Sequence, residues 1–408
     1  MIRKYVLAFI VAVSMLCVTE PAGAVTFGSG DVSALMRNFD AATANMDTLG
    51  MTSARIAVTW DRVQPTGDTP IDLTYATVMA DRLHAQGKQA VLMLWSPPEW
   101  AQEVVCGDLK LPRLVPWMAF LATALERIPS ADVVQVLNEP NLPENRRSAT
   151  PECRTIYRKA YADLLTASTR LIRSAGARSM MGGIYRGSRG ANGDATSPWA
   201  WIRAMREANA DFDVIGIHPY PVTWRRWAGD ASRAQGTVDL LNLAEWISLV
   251  DELWPEQQME VMQVRVTRKI RKCRPRPNGK LKCRRVKVVT IGERLRALPR
   301  QKPKTIWVSE MGYLSYQEGA VSTDPRVVPE PNQAKMVSDM MAWIAAGNLS
   351  PRVEAFYWMT ITDGVSDPWP GGLLRADGSP KPAWDAWLDW LPKPISTNDN
   401  QNQETSNG

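Results

Sequence analysis

The fold of this chain is decided by the stretch Val133–Asn141, which reads V-V-Q-V-L-N-E-P-N. A short apolar run bounded by turn residues is typical of a β-strand that is buried on both faces. Pro140 has no backbone N–H to donate to a neighbouring strand, so we expect the strand to end there. Glu139 is therefore predicted to lie at the carboxyl end of a buried strand, which in parallel α/β architectures is the end that carries the chemistry.

A second stretch repeats this arrangement much later in the chain. Residues Thr305–Tyr313 read T-I-W-V-S-E-M-G-Y, so Glu310 also follows an apolar run. Two carboxyl groups, each at the end of its own buried strand, are the minimum equipment for hydrolysing a glycosidic bond. Our hypothesis is that Glu139 and Glu310 form such a pair.

The chain around these two stretches alternates strand-like runs with amphipathic helical windows. Eight such runs are predicted to be strands: Val25–Gly28, Ala54–Val58, Gln89–Leu94, Val133–Leu137, Met180–Gly183, Asp213–Ile217, Thr305–Val308 and Val353–Trp358. Eight strand–helix repeats predict an α/β fold, a (β/α)8 TIM barrel over residues 25–392. The rival fold is a doubly wound open sheet, but no Gly-rich phosphate loop follows the first strand.

The two ends of the chain are predicted to lie outside the barrel. Residues 1–24 combine a positive start, an apolar stretch and Ala22-Gly23-Ala24, which is typical of a cleaved signal peptide. A retained N-terminal anchor is the alternative. We expect a secreted, extracellular protein with no transmembrane segment after cleavage. Residues 393–408 are polar and rich in Asn, Gln and Ser, so we expect a disordered tail.

Four cysteines remain after removal of the predicted signal peptide, and an even number in an exported chain suggests two disulfides. Cys273 and Cys283 flank an Asn-Gly dipeptide, which is a strong hairpin signal. We therefore predict a Cys273–Cys283 bridge at a hairpin tip and a Cys106–Cys153 bridge elsewhere. A zinc site is disfavoured because the spacings lack C-x-x-C and the chain has two histidines.

Residues 260–304, between the sixth predicted helix and the seventh strand, depart from the barrel pattern. They hold 17 Lys or Arg and 2 Glu, a net charge of +15 that leaves −9 for the remainder of the chain. Two β-branched runs predict an inserted basic β-hairpin. Such a hairpin could bind a polyanion. Alternatively, its charges could serve only to prevent edge-to-edge strand pairing.

The residues at the predicted strand ends are acids, aromatic residues and one histidine, a composition that suits a carbohydrate ligand. Aromatic faces stack on sugar rings, whereas polar groups form hydrogen bonds with the sugar hydroxyls. The candidates at this rim are Arg55, Trp95, Trp100, Asn138, Glu139, Tyr185, Arg186, His218, Tyr220, Glu310, Tyr313, Trp358 and Asp363. We interpret Tyr185, Arg186, Trp95 and Trp100 as rim packing rather than as sugar subsites.

On these motifs the chain resembles the retaining (β/α)8 clan of glycoside hydrolases that contains the cellulase-type and the β-xylosidase/α-L-iduronidase-type families. Asn138-Glu139-Pro140 resembles the clan's acid/base signature, and Asn141 is similar to the residue that follows it in the xylosidase/iduronidase-type family. Ser309-Glu310-Met311-Gly312 resembles the nucleophile strand. The matching residues on other strands are Arg55, His218-Pro219-Tyr220 and Trp358, with a closing passage at Gly371–Leu374 and Lys381–Trp384.

The resemblance implies a retaining O-glycosyl hydrolase that works by double displacement on an oligo- or polysaccharide. Glu310 is expected to be the nucleophile and Glu139 the acid/base, and an anionic Glu310 favours the protonated form of its neighbour. The expected substrate-binding residues are Arg55, Asn138, His218, Tyr220 and Trp358, with Arg55 keeping Glu310 ionised and Trp358 forming the floor of a subsite.

Two other functions are alternatives to this one. The first is a catalytically weak glycan-binding barrel that uses its basic hairpin to hold an anionic polymer, and the second is a cell-surface adhesion module. Two unpaired carboxylates at one site have no use in a pure binder, which favours the enzyme. We expect no metal and no cofactor, since the carboxylates perform the chemistry. A polyanion remains a candidate partner of the hairpin, and no nucleic acid is expected.

Overall fold

The structure is a computed structural model that describes residues 25–30, 37–145, 149–186, 197–220, 243–255, 259–275, 281–297, 304–317, 327–348, 352–364 and 370–391. The predicted signal peptide and the predicted tail lie outside these residues. In the described part of the chain, no helix combines the length and the apolar character that crossing a membrane requires.

Eight parallel strands close into a barrel, as the sequence predicts. Their order around the barrel follows the chain, and the last strand pairs with the first. The strands are β1 (Thr26–Ser29), β2 (Ser53–Thr59), β3 (Gln89–Trp95), β6 (Val133–Val136), β7 (Arg178–Tyr185), β8 (Val214–His218), β11 (Thr305–Met311) and β14 (Val353–Trp358). The (β/α)8 prediction is therefore confirmed.

Helices between the strands cover the outside of the barrel. They are α1 (Phe39–Thr48), α2 (Trp60–Val63), α3 (Thr74–Ala85), α4 (Leu114–Arg127), α5 (Pro151–Ser174), α6 (Pro198–Glu207), α7 (Leu243–Leu253), α8 (Glu330–Trp343) and α9 (Pro382–Leu388). Side chains alternate between the two sides of each strand. One set fills the barrel interior, as Val91, Val133 and Trp307 do, and the other packs under the helices, as Leu92, Val134 and Val308 do.

Six further strands form three small sheets outside the barrel. Strands β4 (Gln102–Cys106) and β5 (Leu109–Pro112) are antiparallel, and β12 (Leu314–Tyr316) and β13 (Val327–Pro329) are parallel. Strands β9 (Met259–Pro275) and β10 (Leu281–Ala297) pair antiparallel along their full length. We call β9 and β10 together the basic ribbon.

Both predicted disulfides are present. Cys106 on β4 is bonded to Cys153 in the first turn of α5, which links two segments that follow neighbouring barrel strands. Cys273 is bonded to Cys283 and stands opposite it in the register of the basic ribbon. The two bridges fasten parts of the chain that lie outside the barrel sheet.

The basic ribbon is connected to the barrel at the amino-terminal ends of the strands. It follows α7, whose last turn contains Asp251, and Asp251 forms a 2.7 Å ion pair with Arg352, the residue that precedes β14. The chain then re-enters the barrel through Lys304, the residue that precedes β11. Glu139 and Glu310 lie towards the opposite, carboxyl-terminal ends, so the ribbon's connections and the candidate site are on opposite ends of the barrel.

Candidate active site

The structure brings Glu139, Glu310 and His218 together at the carboxyl-terminal end of the barrel. One oxygen of each carboxyl group and one nitrogen of the imidazole all lie within 4.8 Å of one another. His218 Nδ1 is 2.8 Å from Glu139 Oε1 and 3.3 Å from Glu310 Oε2. Because both neighbours are hydrogen-bond acceptors when ionised, these distances place a proton on His218 Nδ1. The imidazole therefore bridges the two acids.

The two acids have different environments. The side chain of Glu310 is 8% exposed, and its Oε1 is 2.7 Å from Nη1 of Arg55, whose own side chain is 2% exposed. The side chain of Glu139 is 18% exposed and has no guanidinium partner among the described residues. A buried guanidinium stabilises the ionised form of the acid beside it. The site thus holds Glu310 as a carboxylate beside a buried cation, and its second acid has a different, more exposed environment.

Opposing effects set the pKa of Glu310. Burial alone would raise its pKa, whereas positive charge at His218 and at Arg55, together with hydrogen bonds from Arg55 and Tyr220, lowers it. The favourable charges prevail, and the pKa of Glu310 lies below its ordinary value. Tyr220 donates a 3.2 Å hydrogen bond to Glu310 Oε2. Burial and the negative charge of Glu310 raise the pKa of Tyr220 well above its ordinary value, so its hydroxyl remains a donor.

Gln135 is a member of the site that the sequence analysis missed. It lies in β6, is fully buried, and accepts a 3.0 Å hydrogen bond from Arg55 Nε. Its own Nε2 donates to the backbone oxygen of Leu137 at 2.9 Å and to Asn138 Oδ1 at 3.1 Å. Gln135 therefore fixes the guanidinium that contacts Glu310.

Asn138 is held by the same network. Its Oδ1 accepts hydrogen bonds from Gln135 and, at 2.8 Å, from Arg55 Nη2. Two donors on one oxygen fix the orientation of the amide, because the Nδ2 group cannot accept. The half-buried Asn138 can then offer its Nδ2 hydrogens as donors.

The backbone around Asn138 is in an uncommon conformation. Leu137 has φ 63° and Glu139 has φ 44°, both in the left-handed region that non-glycine residues rarely adopt. Ser96, directly after the neighbouring strand β3, has φ 53°. Each such residue costs on the order of 1–3 kcal/mol, and such residues tend to cluster at functional sites. The left-handed turn at Leu137 also explains why β6 ends one residue earlier than predicted.

A glycine provides the space for His218. A Cβ atom added at Gly183, on the neighbouring strand β7, would lie 1.9 Å from His218 Nε2. Nε2 is buried and has no hydrogen-bond partner among the described residues. The imidazole is therefore held by its Nδ1 contacts on one edge and by close packing on the other.

Two further contacts anchor the loop that carries Glu139. Asn141 accepts a 2.8 Å hydrogen bond from the backbone N–H of Tyr185 and donates one of 2.8 Å to the backbone oxygen of the same residue. Glu144 is buried and forms a 2.6 Å ion pair with Arg158 of α5. Asn141 thus ties the end of β6 to the end of β7.

Trp358 is the predicted site residue that the structure does not bring to the carboxylates. It is fully buried in the layer between sheet and helices, where it packs edge-on against Trp387 and Tyr313 and donates to the backbone oxygen of Gly371. Its neighbour Tyr357 occupies the barrel interior, which turns Trp358 outward. This placement corrects the expectation that Trp358 forms the floor of a sugar subsite. Trp95, at the end of β3, is 36% exposed and lies at the carboxyl-terminal rim.

Glu139, His218 and Glu310 together could also offer three ligand atoms to a metal ion. The guanidinium of Arg55 already neutralises Glu310, and a second cation at the same carboxylate would be repelled by it. The arrangement therefore suits proton transfer and nucleophilic attack better than metal binding.

Comparison with known structures relates the fold of this chain to the folds of glycoside hydrolases. No protein-family profile matches the sequence, and no curated protein matches it. The fold is similar to a family 39 glycoside hydrolase from Bacteroides cellulosilyticus, with a TM-score of 0.54 and 15% sequence identity over 90% of this chain. It is similar to GH5_18 from Streptomyces cattleya in complex with GlcNAc, with a TM-score of 0.54 and 14% identity over 92% of this chain.

A third similar structure is a β-glucuronidase from Bacteroides uniformis, with a TM-score of 0.50 and 13% identity over 91% of this chain. This chain spans 64% of the length of the family 39 structure, 82% of GH5_18 and 35% of the β-glucuronidase. At sequence identities this low, the structural similarity establishes a shared fold and no more. The resemblance inferred from the sequence motifs is confirmed at that level, because the three structures named here share the fold and are glycoside hydrolases.

Proposed function

We propose that this protein is a retaining O-glycosyl hydrolase with Glu310 as nucleophile and Glu139 as acid/base. The observation that carries the proposal is the asymmetric pair of acids. One oxygen of Glu139 and one of Glu310 lie within 4.8 Å of each other, and of the two acids Arg55 pairs with Glu310. Retaining enzymes hold their two carboxyl groups about 5–5.5 Å apart, whereas inverting enzymes leave about 6.5–9.5 Å for a water molecule. The short separation favours the retaining reaction.

In the first step, a carboxylate oxygen of Glu310 attacks the anomeric carbon and the bond to the leaving oxygen breaks. Glu139 transfers its proton to that oxygen, so the leaving group departs as an alcohol and a glycosyl ester forms on Glu310. The lowered pKa of Glu310 keeps the nucleophile ionised. Arg55 and Tyr220 hold its two oxygens in place.

In the second step, Glu139 removes a proton from a water molecule, and the water oxygen attacks the anomeric carbon. The bond between that carbon and Glu310 breaks, which releases Glu310 as a carboxylate. Esterification removes the negative charge of Glu310, so the carboxylate that Glu139 becomes in the first step does not face a second negative charge. His218 contacts both acids, so its Nδ1 proton can hydrogen-bond to whichever of the two is ionised. Asn138, oriented by Arg55 and Gln135, is the proposed donor to the sugar 2-hydroxyl through its Nδ2 group.

We propose that the substrate is an oligo- or polysaccharide and that Trp95 is an aromatic platform for one of its sugars. Trp95 combines exposure with a position at the carboxyl-terminal rim, as a stacking residue requires. Export is part of the same proposal, supported by two disulfides, which persist in oxidising compartments.

The proposal is tested by measuring reducing-end release from a panel of neutral and anionic polysaccharides. Three proteins are compared: the wild type, Glu310→Gln and Glu99→Gln. Glu99 is an exposed acid at the same end of the barrel and serves as the matched control. We expect release by the wild type and by Glu99→Gln, and a loss on the order of 10⁴-fold or more in Glu310→Gln, as is found when a nucleophile is removed.

Equal release by the wild type and Glu310→Gln would overturn the assignment of the nucleophile. The absence of release from every polymer in the panel would overturn the hydrolase proposal for those substrates.

A further inference from the structure

The basic ribbon places like charges directly opposite one another. Lys269 pairs in register with Lys287, and Lys272 pairs with Arg284. All four side chains are exposed. Two further cationic pairs follow in the register, Arg271 with Arg285 and Arg274 with Lys282.

The two exposed pairs lie on opposite faces of the ribbon. Successive residues of a strand alternate between faces, and Lys269 and Lys272 are three residues apart. The pair Lys269–Lys287 therefore lies on one face and the pair Lys272–Arg284 on the other. Both faces of the ribbon are cationic near the tip.

This arrangement is unfavourable for the ribbon by itself. Like charges directly opposite one another destabilise a strand pair, and opposite charges would stabilise it. Charges that serve only to keep edges apart need no cross-strand partner of the same sign, since single lysines on an edge are sufficient. The Cys273–Cys283 bond holds the two strands together among the repelling pairs. An external anion would relieve the repulsion.

We propose that the basic ribbon binds a linear anionic polysaccharide along both of its faces. A flat lipid surface could neutralise one face at a time, and membrane-surface elements combine a charged face with an apolar one, whereas this ribbon is cationic on both. Stiff duplex DNA cannot wrap a ribbon of this width, since its persistence length is about 150 base pairs. Single strands are held by stacking on aromatic residues, and β9 and β10 contain no Phe, Tyr or Trp.

The ribbon is a binding element separate from the substrate site. Its connections leave the barrel at the amino-terminal ends of the strands, opposite the two carboxyl groups. The choice of a polysaccharide over other flexible polyanions rests on the proposed function, because the same chain carries a candidate glycosidase site. We infer that the ribbon anchors the protein to an acidic glycan while the barrel acts on its substrate.

Binding is measured in the full chain carrying Glu310→Gln, so that the polymer stays intact and the result does not depend on turnover. The probes are polygalacturonate and dextran sulfate, each compared with its uncharged counterpart, methyl-esterified polygalacturonate and dextran. We expect binding to the two charged polymers alone, weakening as the salt concentration rises, because bound cations release counterions.

The test variant replaces Lys269, Lys272, Arg284 and Lys287 by glutamine. The matched control removes the same charge from exposed positions on the barrel, by Lys110→Gln, Lys159→Gln, Arg170→Gln and Lys335→Gln. We expect the ribbon variant to bind the charged polymers at least about tenfold more weakly and with a shallower salt dependence, and the control to change less than about twofold.

A charge-swap variant keeps the test independent of folding. Lys269→Glu with Arg284→Glu converts both exposed pairs into cross-strand ion pairs, so we expect thermal stability at least equal to the parent and loss of polymer binding. Equal loss in the ribbon variant and the barrel control would overturn the proposal. Tighter binding to phosphatidylglycerol vesicles, 40-base-pair DNA or long-chain polyphosphate than to either polysaccharide would overturn the choice of partner.

Discussion

The candidate active site and the basic ribbon are both charged, but their charges are balanced in different ways. At the carboxyl-terminal end of the barrel, Arg55 is buried between groups that accept its hydrogen bonds, and its charge is matched by Glu310. In the basic ribbon, exposed cations such as Lys269 and Lys287 face each other without a matching acid in register. Charge is internally compensated in the first region and left for an external partner in the second.

The difference shows what each region can do. A buried, compensated charge fixes the protonation state of its neighbour, which catalysis requires. An exposed, uncompensated charge raises the local concentration of anions and is weakened by salt. The site should therefore respond strongly to single substitutions and weakly to ionic strength, and the ribbon should show the reverse.

After the loss expected for Glu310→Gln, the largest effect is expected at Glu139. Glu139→Gln removes the proton donor, so we expect hydrolysis of polysaccharides to fall by about 10²–10⁴-fold. An aryl glycoside with a good leaving group needs little protonation, so its first step should survive in this variant. Comparing the two substrate classes in wild type, Glu139→Gln and Glu99→Gln checks the prediction. An equal loss for both leaving groups would contradict the assigned role.

Arg55→Gln should change both the pH profile and the stability. Without Arg55 the pKa of Glu310 rises, because burial is then opposed by fewer favourable charges. Activity requires the ionised nucleophile and is lost as the pH falls through this pKa. We therefore expect the acid limb of kcat/KM to move to higher pH in the variant. Breaking a buried ion pair should also lower the free energy of unfolding by about 3–5 kcal/mol, which urea titration measures.

Gln135→Met is the matched comparison for Arg55→Gln. It removes the hydrogen bond that Gln135 accepts from the guanidinium and leaves the Arg55–Glu310 ion pair in place. The acid limb of kcat/KM should again move to higher pH, but by less than in Arg55→Gln. A Gln135→Met profile identical to that of the wild type would show that the ion pair needs no positioning by Gln135.

Gly183→Ala should displace His218 without removing any polar group. The added Cβ would meet His218 Nε2, and displacements of about 1 Å near a reacting group can cost about 10²-fold in rate. Gly67→Ala is the control, since its Cβ would make an ordinary 3.5 Å contact with Trp100. If the effect acts through His218, the double variant Gly183→Ala/His218→Asn should be no slower than His218→Asn alone. Additive losses would contradict this route.

The smallest effect is expected in the ribbon. The four glutamine substitutions there should leave turnover of a small soluble aryl glycoside unchanged within about twofold, because the ribbon is connected at the far end of the barrel. Kinetics at low and high salt measure this. A drop in turnover comparable to that in Gly183→Ala would show that the ribbon contributes to the site, which would remove the contrast between the two regions.

Sequence patterns were sufficient to predict the barrel, because each buried strand appears in the sequence as an apolar run between turn residues. They also predicted a site made of Glu139, Glu310, Arg55, Asn138, His218 and Tyr220, and the structure places these six side chains in one connected set. These residues are recognisable because parallel strands bring their carboxyl ends to the same edge.

Two features of the site could not be predicted in this way, and a third was overlooked. Trp358 was misplaced because a shift of one residue along a strand moves a side chain to the other face, and nothing local says which of Tyr357 and Trp358 turns inward. The role of Gly183 depends on the ring of a residue on another strand. Gln135, in contrast, left a visible signal, since it is the polar residue in the otherwise apolar run V-V-Q-V-L.

The central claim, that Glu310 is the nucleophile of a retaining reaction, is tested most directly by trapping the covalent intermediate. Glu139→Gln is mixed with an activated aryl glycoside of the sugar identified by the panel, and the protein is examined by intact-mass and peptide-mapping mass spectrometry. We predict an added mass of one glycosyl unit on the peptide containing Glu310, and a product of the wild type with retained anomeric configuration. Turnover with an inverted product, or an adduct on a residue other than Glu310, would contradict the claim.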